Sequence, residues 1–181
     1  ILAESWKGNA RGCSDAIFLS VGTGIGAGIM VNNQVLRGAN DIGGAIGWMA
    51  LNTPFEEKYI PCGCFEYNAS GEGLVKMAKE LLTEKKFPSS QLYQNDAGLL
   101  SAKEIFLAYE AGDPLAAKVI DNAISYWGMA VANLVSLFNP EKIIFGGGVF
   151  GPALQFLDAI YDEAKKWAQP ISIQQVTLEG S

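Results

Sequence analysis

Two glycine runs carry the residue types that could handle a phosphate. Gly22-Thr23-Gly24-Ile25-Gly26 follows the apolar run Ala16 to Val21, and Gly146-Gly147-Gly148 follows Glu141 to Phe145. Glycines at 22, 24 and 26 let backbone amides approach an anion closely, and Thr23 adds a hydroxyl donor. At the second run a strand gives way to a helix, a place where a nucleotide can lie against exposed backbone near a helix N-terminus. Each run also has a plain structural explanation: a glycine-rich hairpin for the first and a tight strand-to-helix turn for the second.

Other chemistries drop out. A dinucleotide loop runs from a strand into a helix and a P-loop needs Gly-Lys-Ser/Thr, but here a strand follows Gly26 and no lysine follows the glycines. The chain has no histidine, which excludes a Ser-His-Asp or Cys-His arrangement and any histidine-ligated metal within it.

The elements that must position the two runs are legible. Ala27 to Val31 reads as a strand, Asn32-Asn33 as a hairpin turn and Val35-Leu36 as a third strand. Gly38 to Gly47 and Leu51 to Pro61 read as ordered loops around a site. Ser70 opens a helix that reaches about Lys85, and Ser101 with Glu104 forms a capping box for a second that Gly112 ends. Asp113 at N-cap and Pro114 at N1 start the longest helix, which packs centrally and stops at Asn139-Pro140. Glu141 to Phe145 is a strand, a helix runs from Gly151-Pro152 to Pro170, and Ile171 to Leu178 is expected as a final strand. Ile1 to Gly12 reads as part of an amphipathic helix. This order predicts an α/β fold, a mixed sheet with flanking helices.

At 181 residues the chain is one domain's worth. Lys and Arg total 13 against 19 Asp and Glu, a net charge of −6, the wrong sign for nucleic acid or an anionic membrane. The most apolar stretch, Trp127 to Phe138, is broken by Gly128, Asn133 and Ser136 and is shorter than the ~20 residues of a membrane span. Cys13, Cys62 and Cys64 cannot form an even disulfide framework, so a reducing, cytoplasmic location is expected.

VGTGIGAGIMVNNQVLRGANDIGGAIGWM, CGCFEYNASG and IIFGGGVFGP together resemble the ROK family of repressors and sugar kinases, within the actin-like ATPase (ribonuclease H-like) superfamily. The resemblance runs from AESWKGNARG, similar to the segment after the family's catalytic Asn-Asp pair, to the terminal VTLEGS. It implies that residues 1–181 are a single C-terminal lobe, trimmed at both ends. The catalytic base would then lie just before Ile1 and the first phosphate loop further upstream. It also implies ATP with Mg²⁺, held at Gly22, Thr23, Gly24, Gly26, Gly146 and Gly147, a monosaccharide as the second ligand, and a homodimer.

The sugar loop departs from the family pattern. The family's GEIGH is Gly44-Ala45-Ile46-Gly47-Trp48 here, replacing a sugar-binding Glu and a His. Three residues are candidates for substrate binding. Glu66 matches a Glu that contacts a sugar hydroxyl, or is a helix-start carboxylate. Trp48 stacks on a sugar face, or is a core or interface aromatic. Asp41 accepts hydrogen bonds from ligand, or holds an Asx turn. The family's zinc set keeps only Gly63-Cys64, with Cys62 displaced, so zinc is not expected and Cys64 reads as a buried structural residue. The resemblance admits a sugar kinase or a sugar-responsive repressor that binds its ligand without phosphorylating it; a symmetric assembly module is a third reading.

Overall fold

The computed structural model describes residues 1–94 and 100–181. The elements are α1 (Leu2–Lys7), β1 (Ala16–Val21), β2 (Ile25–Val31), β3 (Gln34–Val35), α2 (Cys64–Ala69), α3 (Gly71–Glu84), α4 (Ala102–Glu110), α5 (Pro114–Phe138), β4 (Lys142–Gly146), α6 (Leu157–Lys165), α7 (Pro170–Gln174) and β5 (Thr177–Gly180). Among the described residues five strands form one mixed sheet in the order β3-β2-β1-β4-β5. The β1–β2–β3 meander is antiparallel, whereas β4 pairs parallel to β1 and β5 parallel to β4. In that register Ser20 faces Gly146, so the two glycine runs leave the sheet side by side at the carboxyl ends of β1 and β4.

Period-2 alternation sends Ile17, Leu19 and Val21 into the main core under the helices. Ala16, Met30 and Ile144 build a smaller cluster with Ile1 and Cys13 on the other face. The central helix is α5, whose Leu115, Val119, Ala123, Trp127, Val131 and Leu134 are all buried. It packs against α2, α3, α4 and α6.

Local signals place most boundaries. Asn32 and Asn33 adopt φ of 50° and 61°, the left-handed pair that a two-residue hairpin turn requires. Ser70 Oγ accepts from Gly73 N–H at 3.0 Å and caps α3, and Ser101 and Glu104 close a capping box on α4. Four expectations need adjustment. The third strand is Gln34–Val35, one residue earlier than expected. Two 3₁₀ turns, Gly148–Phe150 and Pro152–Phe156, precede α6, which spans Leu157–Lys165. The expected strand over 171–178 is α7 followed by β5. Pro170 stands at the first helical position and the Gln169 side chain accepts from Ser172 N–H at 2.7 Å, which favours a helical turn. At the N-terminus only Leu2–Lys7 is helical and none of it is buried.

Asp113 is a buried carboxylate that joins α5 to the loop before α4. It accepts from Leu115 N–H at 2.9 Å, Ala116 N–H at 3.0 Å, Gln91 N–H at 2.7 Å and the Ser90 hydroxyl. Burial alone would raise its pKa, but these donors outweigh burial and hold the carboxyl below its ordinary 3.8. A depressed folded-state pKa gives stability that is complete above the unfolded value and is lost as pH falls through the folded one. D113N is therefore expected to cost about 1–2 kcal/mol near neutral pH. The gap to wild type should narrow below about pH 4. Urea unfolding of both proteins across that range checks this, and a gap that stays constant in acid rejects the role given to the charge.

Candidate functional site

The first glycine run makes a tight turn between β1 and β2, closed by Gly22 N–H donating to the Gly24 carbonyl at 2.9 Å. The turn is seated against the start of α3: Gly71 N–H donates to the Gly22 carbonyl at 2.7 Å. A cleft of about 590 Å³ opens beside it. Gly22 and Thr23 form one wall and Gly148 and Val149 another, with Gly71, Glu72, Val75, Lys76 and Lys79 of α3 and Leu100 to Ala102 completing it.

Its chemistry is divided. Val75, Leu100, Ala102 and Val149 give an apolar floor that suits a planar base. The glycine turn, the positive end of α3 and the ammonium groups of Lys76 and Lys79 suit phosphates. Lys76 is partly neutralised by Glu72, 3.5 Å away. Of the six glycine-run residues named from sequence, Gly22 and Thr23 stand on the cleft wall. Gly24 faces Glu66, and Gly26 lies within β2. Gly146 is buried, with space for a β-carbon taken by the Phe18 ring 2.6 Å away. Gly147 makes the turn at φ of +93°. The α3 residues on the wall went unnamed in the sequence, although 72, 75, 76 and 79 share one helical face by spacing.

The three sugar candidates point in different directions. Glu66, in the first turn of α2, accepts from Ile25 N–H through Oε2 at 2.6 Å, next to the glycine turn. Asp41 has φ of +56° and lies 3.7 Å from Arg37, with both side chains more than three quarters exposed. Trp48 is 59 % exposed and lines a separate groove of about 310 Å³ with Phe55, Tyr59 and Ile60. Tyr67 ties α2 to α3: burial, then the neighbouring Glu80 carboxylate, pushes its phenol up to about 12, and it donates to Glu80 at 2.9 Å.

The ROK family pattern matches residues 1–178. The chain belongs to the ROK family. It is 37 % identical over 174 residues to a glucokinase of Halalkalibacterium halodurans, covering 93 % of this chain and 52 % of that protein. A ROK family transcriptional regulator, a homologue of the E. coli MLC protein, superposes with a TM-score of 0.86 at 27 % identity, covering 99 % of this chain and 44 % of its own. A ROK glucokinase of Streptomyces griseus, solved with glucose and AMPPNP, superposes at 0.78 and 27 % identity, over 98 % of this chain and 58 % of its own. The ROK chain described here thus spans about half the length of the relatives it matches, and its fold is that of an actin-like ATPase lobe.

The residues at the ROK zinc position do not fit that metal. Among the described residues, no three His, Cys, Asp or Glu side chains stand together in a way that could hold an ion. Cys64 is buried beside Asn68, its sulfur within reach of the Asn68 amide, and burial pushes the Cys62 thiol up. In this ROK chain the same loop rests on aromatic contacts, Tyr59 meeting Tyr67 edge-on at 5.6 Å and Phe55 at 6.3 Å. No helix among the described residues is long and apolar enough to cross a membrane.

Proposed function

We propose that residues 1–181 form the ATP- and sugar-binding lobe of a cytoplasmic ROK sugar kinase that transfers the ATP γ-phosphoryl group to a monosaccharide hydroxyl. The observation that carries this is the cleft itself. Two glycine turns and the N-terminus of α3 converge on one space with an apolar floor and two lysines, directly behind the turn that Glu66 holds. The similarity to a glucokinase, and to one solved with glucose and AMPPNP, supports the same reading.

The chain's own groups bind and orient. Amides of Thr23 and Gly24 and the Lys76 and Lys79 ammonium groups receive the phosphates, while Val75 and Val149 hold the base out of water. Mg²⁺ would arrive with the nucleotide and neutralise charge on the phosphoryl oxygens, with Glu72 and Thr23 as the oxygen donors this wall offers. Glu66 orients a sugar hydroxyl through its second carboxylate oxygen. By the family resemblance the general base is an Asp preceding Ile1, and the kinase is a homodimer.

One set of observations favours a second reading, a sugar-responsive repressor. Ala45 and Trp48 replace the Glu and His of the family's sugar loop, and a transcriptional regulator superposes closely. Calorimetric titration of the full-length protein with ATP–Mg²⁺ and a panel of monosaccharides, followed by an ADP-release assay, separates the readings. ADP release that depends on one sugar establishes the kinase. Sugar binding without turnover establishes the repressor, and binding of neither ligand rejects both.

The cleft lysines give a sharper prediction. A K76A/K79A double variant removes two charge-assisted partners, so ATP affinity should fall about tenfold or more, with little change in sugar affinity. The salt dependence of ATP binding should flatten as well. Unchanged ATP affinity would remove α3 from the nucleotide site.

A further inference from the structure

We propose that Glu66 is a positioning residue that couples the two halves of the site, so that sugar and nucleotide each alter the affinity for the other. This rests on the functional reading above. The Glu66 side chain fills a slot between the phosphate turn and the sugar loop. Its Oε2 accepts from Ile25 N–H at 2.6 Å, at the first residue of β2. A β-carbon on Gly24 would lie 2.6 Å from that same oxygen. A β-carbon on Gly47, in the neighbouring loop, would lie 3.0 Å from Glu66 Cβ and 3.1 Å from Oε2. Both neighbours lack a side chain, which is what lets one carboxylate touch the backbone of two loops at once.

The turn is gripped at both ends by one short segment. Glu66 holds Ile25 N–H, and Gly71 N–H, five residues later in the chain, holds the Gly22 carbonyl at 2.7 Å. The helix between these grips, α2, ends at Ala69 and leads directly into α3, whose face lines the cleft. Among the described residues only Oε2 of the carboxylate is hydrogen-bonded, which leaves Oε1 for a sugar hydroxyl. A ligand that pulls on Oε1 therefore acts on Ile25 N–H through Oε2, and on Gly22 through α2 and Gly71. The coupling is reciprocal by linkage: whatever factor sugar applies to ATP affinity, ATP applies to sugar affinity.

The test is calorimetric titration of the full-length protein with ATP–Mg²⁺, alone and with saturating sugar, and with sugar alone and with saturating ATP. Wild type is compared with E66A, E66Q and G24A, all checked for folding by thermal melting. In wild type, saturating sugar should change ATP affinity at least threefold. E66A should weaken ATP about tenfold even with no sugar present, and the sugar–ATP coupling factor should fall to one. E66Q keeps an oxygen for Ile25 N–H, so its sugar-free ATP affinity should stay within threefold of wild type. G24A keeps the carboxylate but displaces it, and should weaken sugar binding although the substitution lies in the phosphate turn. If wild type binds both ligands and folded E66A binds ATP normally, or the coupling persists without the carboxylate, the inference fails alone. If wild type binds no nucleotide, the functional reading fails and takes this one with it.

Discussion

Trp127→Ala is expected to lower the unfolding free energy by about 3–5 kcal/mol, the range for removing a large aromatic from a core that cannot fully close. Trp127 is fully buried at the middle of α5. Its Nε1–H donates to the Ala69 carbonyl at 3.0 Å, so the variant opens a cavity and also strands a buried acceptor. The ring packs edge-on against Phe150 at 4.9 Å, and Phe150 in turn meets Phe145 at 4.5 Å. Ala69 immediately precedes the Ser70–Gly71 start of α3, and Phe150 follows the second glycine run, so both sides of the cleft rest on this one side chain. Nucleotide affinity should fall with stability, even at temperatures where the variant remains folded. Trp127→Phe keeps much of the volume but loses the N–H, and should cost about 1–3 kcal/mol. Urea titrations of the three proteins, with ATP calorimetry on the folded variants, measure both effects. A loss under about 1 kcal/mol for the alanine variant would contradict the packing role.

Gly44→Ala should do comparable harm to function with a smaller loss of stability. Gly44 sits at φ of +94°, a conformation that L side chains rarely adopt, and a β-carbon there would run into the Ala27 carbonyl oxygen of β2. The Gly44 carbonyl also accepts from Ala27 N–H at 2.8 Å, stitching the Gly38–Gly47 loop to the sheet. Because strand and loop meet backbone to backbone, no side chain can move to make room. The substitution should cost about 1–3 kcal/mol. It should also push Gly47 away from Glu66, so sugar affinity falls at least tenfold while sugar-free ATP affinity changes less. Parallel calorimetry with each ligand resolves the two, and equal losses for both ligands would mean the loop is not specific to sugar.

Much of this protein could be read without coordinates because the signals are local. Asp113-Pro114 and Asn139 bracket α5, Ser70 and the Ser101–Glu104 box start α3 and α4, and Asn32-Asn33 turns the hairpin, each through bonds or dihedrals spanning a few residues. The glycine runs were equally legible, since only a bare backbone permits such close approach. The family followed from the combination of motifs and their order.

Other features depended on which distant segments meet. The parallel pairing of β1 with β4 lines up Ser20 with Gly146 and so sets the two glycine runs side by side. Lys76 and Lys79 read as an ordinary polar helix face until α3 is seated against the Gly22 turn. Glu66 read as a helix-start carboxylate or a sugar contact, and the approach of α2 to the end of the Gly22–Gly24 turn showed its bond to Ile25 N–H. Trp48 was open between stacking on a sugar and serving as a core or interface aromatic; at 59 % exposed it is not a core residue, and it faces a groove with Phe55 and Ile60. Composition and short-range pattern thus determined α3, α4, α5, the Asn32-Asn33 turn and the family. Tertiary structure decided what each side chain reaches, because a contact between residues far apart in sequence is set by how the elements pack, and no local spacing encodes that.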